Sequence, residues 1–327
     1  MCLVYRPLAF KQLEKTPVKP ELVMVGPMMP HVMEALDSDF TVHRLWEAAD
    51  QAALLKEAGD KVRAIATSGH LGASAAMMDA LPKLEIIGCY GVGVDSIDLD
   101  HAAKRKVIVT NTPDVLNDDV ANMAISLLLA TSREICNGDR YVREGKWLKG
   151  AMHLTHAIRG RRLGILGLGR IGKDIARKAE VFGMEIAYNG RRKQDVPYRF
   201  YPDLVEMARD CDFLVAICPG GPATDKIVNR AVLDALGPEG TFINVARGSV
   251  VDEPALVAAL QEGRLGAAGL DVFAEEPKVP EALFKMDQVV LQPHAASATH
   301  ETRRAMGDLV VDNLRAHFAG KPVLTPV

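Results

Sequence analysis

A glycine-rich stretch, GLGRIG at residues 167–172, limits what this chain can fold into more than any other feature of its sequence. It follows a short apolar run at residues 161–167 and opens an amphipathic segment, which is the pattern of a strand, a tight turn and a helix. Gly167 permits the turn, Gly169 lets the backbone approach a pyrophosphate, and Gly172 lets the helix pack closely on the strand. Free N–H groups at the helix N-terminus attract phosphate. The stretch therefore predicts a dinucleotide-binding βαβ unit.

Short apolar runs alternate with longer amphipathic segments along most of the chain, which is typical of parallel βα units. The first group of predicted strands comprises residues 21–26, 61–67, 83–90 and 106–111, with helices between them at 28–36, 47–58 and 73–81. The second group comprises residues 161–167, 184–189, 211–218, 240–246, 265–272 and 288–294. Six strands are enough for a complete dinucleotide-binding sheet. We therefore expect an α/β protein with two Rossmann-like or flavodoxin-like domains that contain parallel sheets, and an active site in the cleft between the domains.

Charge and hydropathy exclude several classes of function. The net charge of the 327 residues is −3, so there is no electrostatic case for binding nucleic acid. No apolar run approaches the ~20 residues that cross a bilayer, so no membrane association is expected. Residues 1–20 do not resemble a secretory signal, and we expect them to be a poorly ordered lead-in.

The cysteines and one histidine pair give no sign of a metal site. The five cysteines have no CxxC spacing, and we expect them to be buried free thiols of a reducing compartment, which predicts a cytoplasmic protein. His153 and His156 form an HxxH pair, but no acid or cysteine nearby completes a ligand set. We therefore expect no bound metal.

The stretch YNGRR, after the second strand of the glycine-rich unit, indicates which dinucleotide binds. Sites that prefer NAD usually place Asp or Glu about 20 residues beyond the first glycine, where it binds the ribose 2′-hydroxyl and would repel a 2′-phosphate. Here that place holds the neutral Asn189, followed by Gly190, Arg191 and Arg192. Two guanidinium groups can bind a phosphate through charge-assisted, bidentate hydrogen bonds. We therefore predict NADP(H) as the preferred cofactor and leave NAD(H) open; two ordinary solvated charges are the alternative interpretation of the arginines.

Polar residues follow three further predicted strands, at the sheet edge where a doubly wound fold binds its ligand. Arg247 follows one strand, Asp271 and Glu276 follow the next, and His294 follows the last. Each of them alone is more typical of an ordinary turn or strand end. Because all fall at strand ends of one nucleotide-binding domain, the sequence predicts an active site there.

Several motifs together resemble one known family. They are YGVGVD at residues 90–95, NTPDVLNDDVA at 111–121, GLGRIG, NVARG, GLDVFAEEP and QPHAAS. On these motifs the chain resembles the D-isomer-specific 2-hydroxyacid dehydrogenase family from about residue 22 onward. CPGGPAT at residues 218–224 and the basic YNGRR resemble the glyoxylate/hydroxypyruvate reductase branch, whereas many other branches have a Leu-Thr pair in place of Gly220 and Gly221.

The resemblance implies a role for each polar residue. Reduction of a 2-oxo acid requires a cation for the carboxylate and the carbonyl, which Arg247 can supply. It also requires a proton donor for the alkoxide, and His294 is the side chain best suited to this near neutral pH. Glu276 resembles the family carboxylate that orients this histidine and favours its charged form. The backbone N–H groups of Val92 and Gly93 resemble the family's cradle for the substrate carboxylate.

Further contacts follow from the same resemblance. Ser297, close behind the histidine, is expected to line the substrate site. Asp271 matches the residue that holds the nicotinamide carboxamide. The full set of predicted cofactor-binding residues is Gly167, Leu168, Gly169, Arg170, Ile171, Gly172, Asn189, Gly190, Arg191, Arg192, Cys218, Pro219, Thr224, Val245, Ala246, Arg247, Asp271 and His294.

The implied reaction is hydride transfer from NADPH to glyoxylate or hydroxypyruvate, giving glycolate or D-glycerate. A reductase of bulkier 2-oxo acids such as hydroxyphenylpyruvate stays open, because the loop at residues 68–71 and the region near Trp147 set the size of the substrate site. A non-catalytic, nucleotide-sensing binding protein of the corepressor type also stays open, because such proteins resemble this family and can retain similar catalytic residues.

The predicted domains follow from the two groups of strands. Residues 1–112 and 296–327 are expected to form a discontinuous substrate-binding domain, with residues 113–295 forming the NADP-binding Rossmann domain between them. A last helix at residues 299–320 is expected to return to the first domain. The long apolar helix that begins near Asn117 is expected to contribute to a homodimer, as the family resemblance implies.

Overall fold

A computed structural model describes residues 19–327, so the lead-in predicted at residues 1–20 lies outside it except for the last two residues. The described chain forms two parallel sheets. The first contains β1 (Glu21–Met24), β2 (Thr41–Arg44), β3 (Val62–Ser68), β4 (Ile86–Tyr90) and β5 (Ile108–Thr110). The second contains β6 (Arg162–Leu166), β7 (Glu185–Asn189), β8 (Arg199–Phe200), β9 (Phe213–Ala216), β10 (Thr241–Asn244), β11 (Ala267–Leu270) and β12 (Val289–Leu291).

Helices connect the strands and cover both faces of each sheet. They are α1 (Pro30–Asp39), α2 (Gln51–Ala58), α3 (Ala75–Asp79), α4 (Leu99–Lys104), α5 (Asn117–Ser132), α6 (Ile135–Arg143), α7 (Arg170–Val181), α8 (Leu204–Asp210), α9 (Arg230–Leu236), α10 (Glu253–Gln261) and α11 (His300–Phe318). Short 3₁₀ helices lie at Leu45–Glu47, Lys146–Lys149, Gly248–Val250 and Glu281–Lys285. This architecture confirms the predicted α/β class with two Rossmann-like sheets.

The strand order places the ligand-binding edge of each sheet. The first sheet has the order β2-β1-β3-β4-β5, which is that of flavodoxin-like folds. The second has the order β12-β11-β10-β9-β6-β7-β8, so the chain winds outward in opposite directions from β6 and from β9. A crevice forms beyond the carboxyl ends of the strands at such a switch point, because the two connecting helices lie on opposite faces of the sheet.

Burial explains why these segments form strands. The central strands β4, β9 and β10 are buried along their full length, as expected for a parallel sheet that is covered on both faces. One cluster of buried apolar side chains runs from the first sheet through α5 to the second sheet. Two further clusters fill the opposite face of each sheet. Continuous packing between the sheets fixes the cleft that separates their carboxyl edges.

The two long helices pack on different sheets. Helix α5 packs on α7 and on strands β10, β11 and β12. Its buried side chains are covered by elements of the same chain. Helix α11 begins at an N-cap in which Thr299 Oγ1 accepts a hydrogen bond from the N–H of Thr302, and it packs on β4 and α1. Beyond α11 the N–H of Val327 donates to the carbonyl of Val109, 2.9 Å away. The predicted domain boundaries and the role of α5 in a dimer stay predictions.

Several elements differ from those predicted. Strand β2 in the first sheet and strand β8 in the second were not predicted. With β8, the second sheet has seven strands instead of six. Strand β2 lies at a sheet edge with no fully buried residue, and β8 has only two residues, so neither gives an apolar run. Helices α4 and α6 were also missed. The helix predicted at residues 47–58 divides into a 3₁₀ turn and α2 at Asp50, whose side chain accepts a hydrogen bond from the N–H of Ala53.

The prediction of buried free thiols holds for three of the four cysteines in residues 19–327. Cys89, Cys211 and Cys218 are buried, whereas Cys136 is exposed, and Cys2 lies outside the described residues. Burial raises the pKa of the Cys218 thiol to about 11, so it stays protonated at neutral pH. Among residues 19–327, no helix is long and apolar enough to span a membrane.

Candidate active site

A histidine and a glutamate that follow neighbouring strands form the centre of the site. His294 follows β12 and Glu276 follows β11, and His294 Nδ1 lies 2.7 Å from Glu276 Oε2. The backbone of His294 has φ +52°, a left-handed conformation that is uncommon for a residue with a side chain. The carbonyl of Asp271 accepts a hydrogen bond of 2.8 Å from the N–H of His294 and holds this conformation. Local backbone strain of this kind is concentrated at functional sites.

The Glu276 carboxylate is held in its ionised form. Burial raises its pKa, but the hydrogen bond and the charge of His294 outweigh this effect, and the N–H of Phe273 donates to Glu276 Oε1 at 3.1 Å. The net result is a pKa lowered from the ordinary value of 4.5. Because Nδ1 of His294 is directed at this carboxylate, Nε2 is the ring atom left to exchange a proton with a ligand. The half-exposed side chain of His294 is accessible for this exchange.

Arg247 reaches from the second sheet to the first. It follows β10, and its Nη1 donates to the carbonyl of Ala246 at 2.7 Å. Its Nε lies 3.3 Å from Oδ2 of Asp95, which belongs to the turn after β4. Its Nη2 lies so close to Gly93 that a Cβ on that glycine would fall 1.7 Å away. The cation predicted for the substrate therefore lies directly against the predicted carboxylate cradle.

The turn at Val92 and Gly93 is held through its carbonyl groups. Asn111 Nδ2 donates to the carbonyl of Val92 at 2.9 Å, and a Cβ on Gly69 would lie 2.5 Å from the carbonyl of Gly93. Within residues 19–327, the N–H groups of Val92 and Gly93 have no hydrogen-bond partner. Free N–H groups beside a guanidinium can bind a carboxylate. This geometry fits the cradle that the sequence predicts.

Asp271 and Ser297 flank the histidine. The two carboxylate oxygens of Asp271 accept hydrogen bonds from the N–H groups of Ala295 at 2.7 Å and Ala296 at 3.0 Å. Asp271 is buried, which raises its pKa despite these hydrogen bonds. The side chain thus organises the turn that carries His294, and its contact with a nicotinamide stays a prediction. Ser297 follows in the same turn, and its hydroxyl has no partner among the described residues.

The glycine-rich turn has the shape that a pyrophosphate requires. A Cβ on Gly172 would lie 2.2 Å from the carbonyl of Gly167, so helix and turn pack as closely as the fingerprint demands. Gly167 adopts φ +103° and lies against the backbone of Cys218. A Cβ on Gly169 would meet nothing within 4 Å, so the space before the turn is open. Leu168, Arg170 and Ile171 belong to the same turn and to the start of α7, and Arg170 Nη1 lies 3.4 Å from Asp114 Oδ1.

The residues predicted to bind the adenosine ribose divide into two groups. Asn189 is 8% exposed, and its Nδ2 donates to the carbonyl of Tyr201 at 2.8 Å and of Pro202 at 3.3 Å. Its amide group therefore connects β7 to the segment after β8. Arg191 and Arg192 are exposed, and neither forms an ion pair with any residue in the described range. Gly190 has open space on its Cβ side. The two guanidinium groups are thus available to a ligand.

The other predicted cofactor residues lie at the carboxyl edge of the second sheet. Cys218 and Pro219 follow β9, and Val245 and Ala246 follow β10. Thr224 Oγ1 donates to the carbonyl of Pro219 at 2.7 Å, so its hydroxyl closes the loop after β9. All of them follow strands of the second sheet, where the crevice at the switch point is expected, and their contact with a cofactor stays a prediction.

The structure adds two polar residues that sequence reasoning did not assign to the site. One is Asp95, beside Arg247. The other is His70, whose Nδ1 lies 4.0 Å from Glu276 Oε2. Both come from the first sheet and meet residues of the second. Asp95 stands in the YGVGVD motif and His70 stands in the loop predicted to set substrate size, but spacing gives no sign that either contacts the predicted catalytic residues.

The HxxH pair has an acidic neighbour that the sequence does not indicate. His153 Nε2 lies 2.7 Å from Glu134 Oε1, so the expectation of no nearby carboxylate is wrong. The backbone N–H of His156 donates to the carbonyl of Ser132 at 3.3 Å. No cluster of three or more metal-ligating side chains occurs in residues 19–327.

Sequence and structure comparisons place the chain among known proteins. Residues 125–296 match the family described as D-isomer specific 2-hydroxyacid dehydrogenase, NAD binding domain. A hydroxyphenylpyruvate reductase of Plectranthus scutellarioides is 50% identical over 307 residues, which are 94% of this chain and 98% of the relative. Glyoxylate/hydroxypyruvate reductase A of Arabidopsis thaliana is 48% identical over 307 residues, again 94% of this chain and 98% of the relative.

A solved structure agrees with this placement. The NADPH-dependent glyoxylate/hydroxypyruvate reductase of Sinorhizobium meliloti, in complex with NADP and malonate, is 48% identical and has a TM-score of 0.89, covering 94% of this chain and 97% of that chain. Similarity at this level extends over nearly the whole length of the chain. The chain belongs to the D-isomer-specific 2-hydroxyacid dehydrogenase family of NAD(P)-dependent oxidoreductases, in its glyoxylate/hydroxypyruvate reductase branch.

Proposed function

We propose that the protein reduces small 2-oxo acids, glyoxylate to glycolate and hydroxypyruvate to D-glycerate, with NADPH. One observation carries this proposal: Nη2 of Arg247 lies against Gly93, and one loop of the first sheet reaches both this glycine and the Glu276–His294 pair. The loop after β3 connects the two groups, because Gly69 packs on Gly93 while the neighbouring His70 approaches Glu276. A cation, two N–H donors and a proton donor in one cleft match the needs of a 2-oxo acid.

Each side chain has a distinct role in this reaction. Arg247 and the N–H groups of Val92 and Gly93 bind the substrate carboxylate and polarise the neighbouring carbonyl group. Nε2 of His294 donates a proton to the carbonyl oxygen as negative charge develops on it. Glu276 contacts Nδ1 and keeps the imidazole oriented for the transfer. A bound nicotinamide would supply the hydride.

The cofactor proposed is NADPH in preference to NADH. The site has no carboxylate at Asn189 to repel a 2′-phosphate, and Arg191 and Arg192 are exposed without an ion pair in the described part of the chain. The Sinorhizobium meliloti relative is itself NADPH-dependent and was solved with NADP. The residues of the glycine-rich turn would hold the pyrophosphate through backbone N–H groups at the start of α7.

A bulkier substrate is the second candidate. The 50% identical relative from Plectranthus scutellarioides is a hydroxyphenylpyruvate reductase. In this chain His70 and Leu71, in the loop that reaches the site, are both well exposed. Their side chains are available to contact an aromatic group on the 2-oxo acid.

The homodimer is proposed because one apolar surface is not covered by any other part of the described chain. Helix α5, which the sequence indicated, is largely covered by its own chain, but the segment after it is not. Ile135, Val142, Trp147, Leu148 and Leu154 all expose large apolar side chains. Clusters of exposed apolar residues mark interaction sites. A second copy of this chain, packed on this segment, would cover them.

A cytoplasmic location and the two predicted domains complete the proposal. Cys89 and Cys211 are buried free thiols, which suit a reducing compartment. The substrate-binding domain is proposed as residues 1–112 with 296–327, and the cofactor domain as residues 113–295. Packing of α11 on the first sheet supports this division.

Steady-state reduction of a panel of 2-oxo acids tests the function. Glyoxylate, hydroxypyruvate and hydroxyphenylpyruvate are each assayed with NADPH and with NADH by loss of nicotinamide absorbance. We expect the highest kcat/KM for one of the two small acids with NADPH. A higher kcat/KM for hydroxyphenylpyruvate would select the second candidate. Tight binding of NADPH without turnover of any acid would contradict an enzyme and favour a nucleotide-sensing binding protein.

A further inference from the structure

The guanidinium group of Arg247 is held from two sides, by residues of different sheets. On one side Nη1 donates to the carbonyl of Ala246, its own neighbour after β10, at 2.7 Å. On the other side Nε lies 3.3 Å from Oδ2 of Asp95, in the turn after β4 of the first sheet. Both side chains of this ion pair are about three-quarters shielded from solvent. The planar group is thereby fixed in orientation as well as in position.

The two contacts leave a defined part of the guanidinium for a ligand. With Nε bound by Asp95 and Nη1 by a carbonyl, Nη2 is the nitrogen with no acceptor within the described residues. This nitrogen lies against Gly93, where a Cβ would fall 1.7 Å away. The free N–H groups of the Val92–Gly93 turn are at the same place. The group is therefore oriented with its free N–H bonds towards the proposed carboxylate site.

Gly220, in the loop after β9, leaves room for the Arg247–Asp95 ion pair. A Cβ on Gly220 would lie 3.0 Å from Cγ of Arg247 and 3.3 Å from Oδ2 of Asp95. Both distances are shorter than ordinary van der Waals contact, so a larger residue would displace the arginine side chain or its acceptor. Three segments of the chain, after β4, β9 and β10, are thus built around one ion pair.

We infer that Asp95 is a positioning residue for substrate binding, which acts by fixing the guanidinium of Arg247 so that Nη2 meets the carboxylate of the 2-oxo acid. Arginine has many rotamers, and a group that is oriented before binding loses less conformational entropy when the ligand arrives. Asp95 accepts from Nε and so orients the group, while the N–H bonds of Nη2 keep no acceptor among the described residues. This inference rests on the proposed reductase function.

Substitution of Asp95 tests the inference. Asp95→Asn retains an oxygen that can accept from Nε but removes the charge, whereas Asp95→Ala removes both. We expect KM for the 2-oxo acid to rise about tenfold in Asp95→Ala and by about threefold in Asp95→Asn, with kcat changed by less than about threefold. The Kd of NADPH, measured by fluorescence titration, and Tm should stay at the wild-type values. Asp100→Ala, an exposed acidic residue at the start of α4, is the matched control and should match the wild type.

Two further variants separate an effect through Arg247 from a general one. In an Arg247→Ala background, Asp95→Ala should cause no additional loss of kcat/KM, because the group that it positions is gone. Gly220→Ala, which leaves both charged residues in place, should raise KM in the same direction as Asp95→Ala. Additive losses in the double variant would overturn the inference, as would an unchanged KM in Asp95→Ala. Absence of turnover in the wild type would contradict the proposed function instead, so the two failures are distinguishable.

Discussion

Glu276 Oε2 accepts a hydrogen bond of 2.7 Å from Nδ1 of His294, and the two residues reach this contact from adjacent strands β11 and β12. Since the pKa of Glu276 is lowered from 4.5, its carboxylate is ionised throughout the neutral range. The contribution of the pair to stability is therefore present above pH 4.5 and is lost as pH falls through the lower folded-state pKa. In the neutral range, the ionised carboxylate accepts this hydrogen bond and so orients the imidazole.

Glu276→Gln should lower activity. The amide can still contact the ring but lacks the charge-assisted hydrogen bond that orients the imidazole. We expect kcat to fall roughly 100-fold, because the ring is no longer held in place for proton transfer. Steady-state rates at neutral pH check this loss. Glu275→Gln, the exposed neighbour, is the control, and an equal loss in both variants would contradict a specific role for Glu276.

Two glycines of the GLGRIG turn should respond differently to the same methyl group. Gly172→Ala should lower stability by about 1–3 kcal/mol, because its Cβ would lie 2.2 Å from the carbonyl of Gly167. Gly169→Ala should leave Tm of the free protein unchanged, because its Cβ meets nothing within 4 Å. It should nevertheless weaken NADPH binding, since the methyl group occupies the space in front of the turn. Thermal melts with and without NADPH separate the effects; equal Tm losses would contradict this account.

Local patterns in the sequence predict the elements and the polar strand ends. The glycine spacing predicts the β6-turn-α7 unit because the tight turn and the close packing of Gly172 on Gly167 involve residues near each other in the chain. Likewise, Arg247, Glu276 and His294 are found because parallel strands end at a common edge, whatever the details of packing. Strand β2 is missed because it is a half-exposed edge strand without an apolar run. Its place depends on pairing with β1 and not on its own composition.

Contacts between the sheets are what the sequence does not predict. Asp95 and Arg247 are separated by 152 residues in the chain, and His70 and Glu276 by more than 200. No periodicity relates such pairs, because their distance depends on how the two sheets pack. Asn189 illustrates the same limit within one sheet. Its position in the motif points to the ribose, yet its amide donates to carbonyl groups of the segment after β8, which the sequence does not reveal as a strand.

The exposed arginines after β7 should decide which coenzyme is used. In Arg191→Asp/Arg192→Ala, the new carboxylate would repel a 2′-phosphate and accept from the 2′-hydroxyl of NADH. We expect KM for NADPH to rise about 100-fold, because charge-assisted hydrogen bonds from two guanidinium groups are lost, while KM for NADH stays similar or falls. Initial rates with varied coenzyme check this. Arg209→Ala, at the exposed end of α8, is the control, and a variant that kept its preference for NADPH would contradict the assignment.

The apolar segment that follows α6 should hold two copies of the chain together. Trp147 is 68% exposed and Leu148 is 93% exposed, so burial of both against a partner would remove a large apolar area from water. Trp147→Ser/Leu148→Ser should raise the dimer dissociation constant by at least about 100-fold, as expected for two apolar anchors of an interface. Sedimentation velocity across a range of protein concentrations measures this shift. Phe284→Ser removes an equally exposed aromatic side chain outside this segment and should leave the dimer intact. If the wild type sediments as a monomer, or if both variants dissociate alike, the interface lies elsewhere.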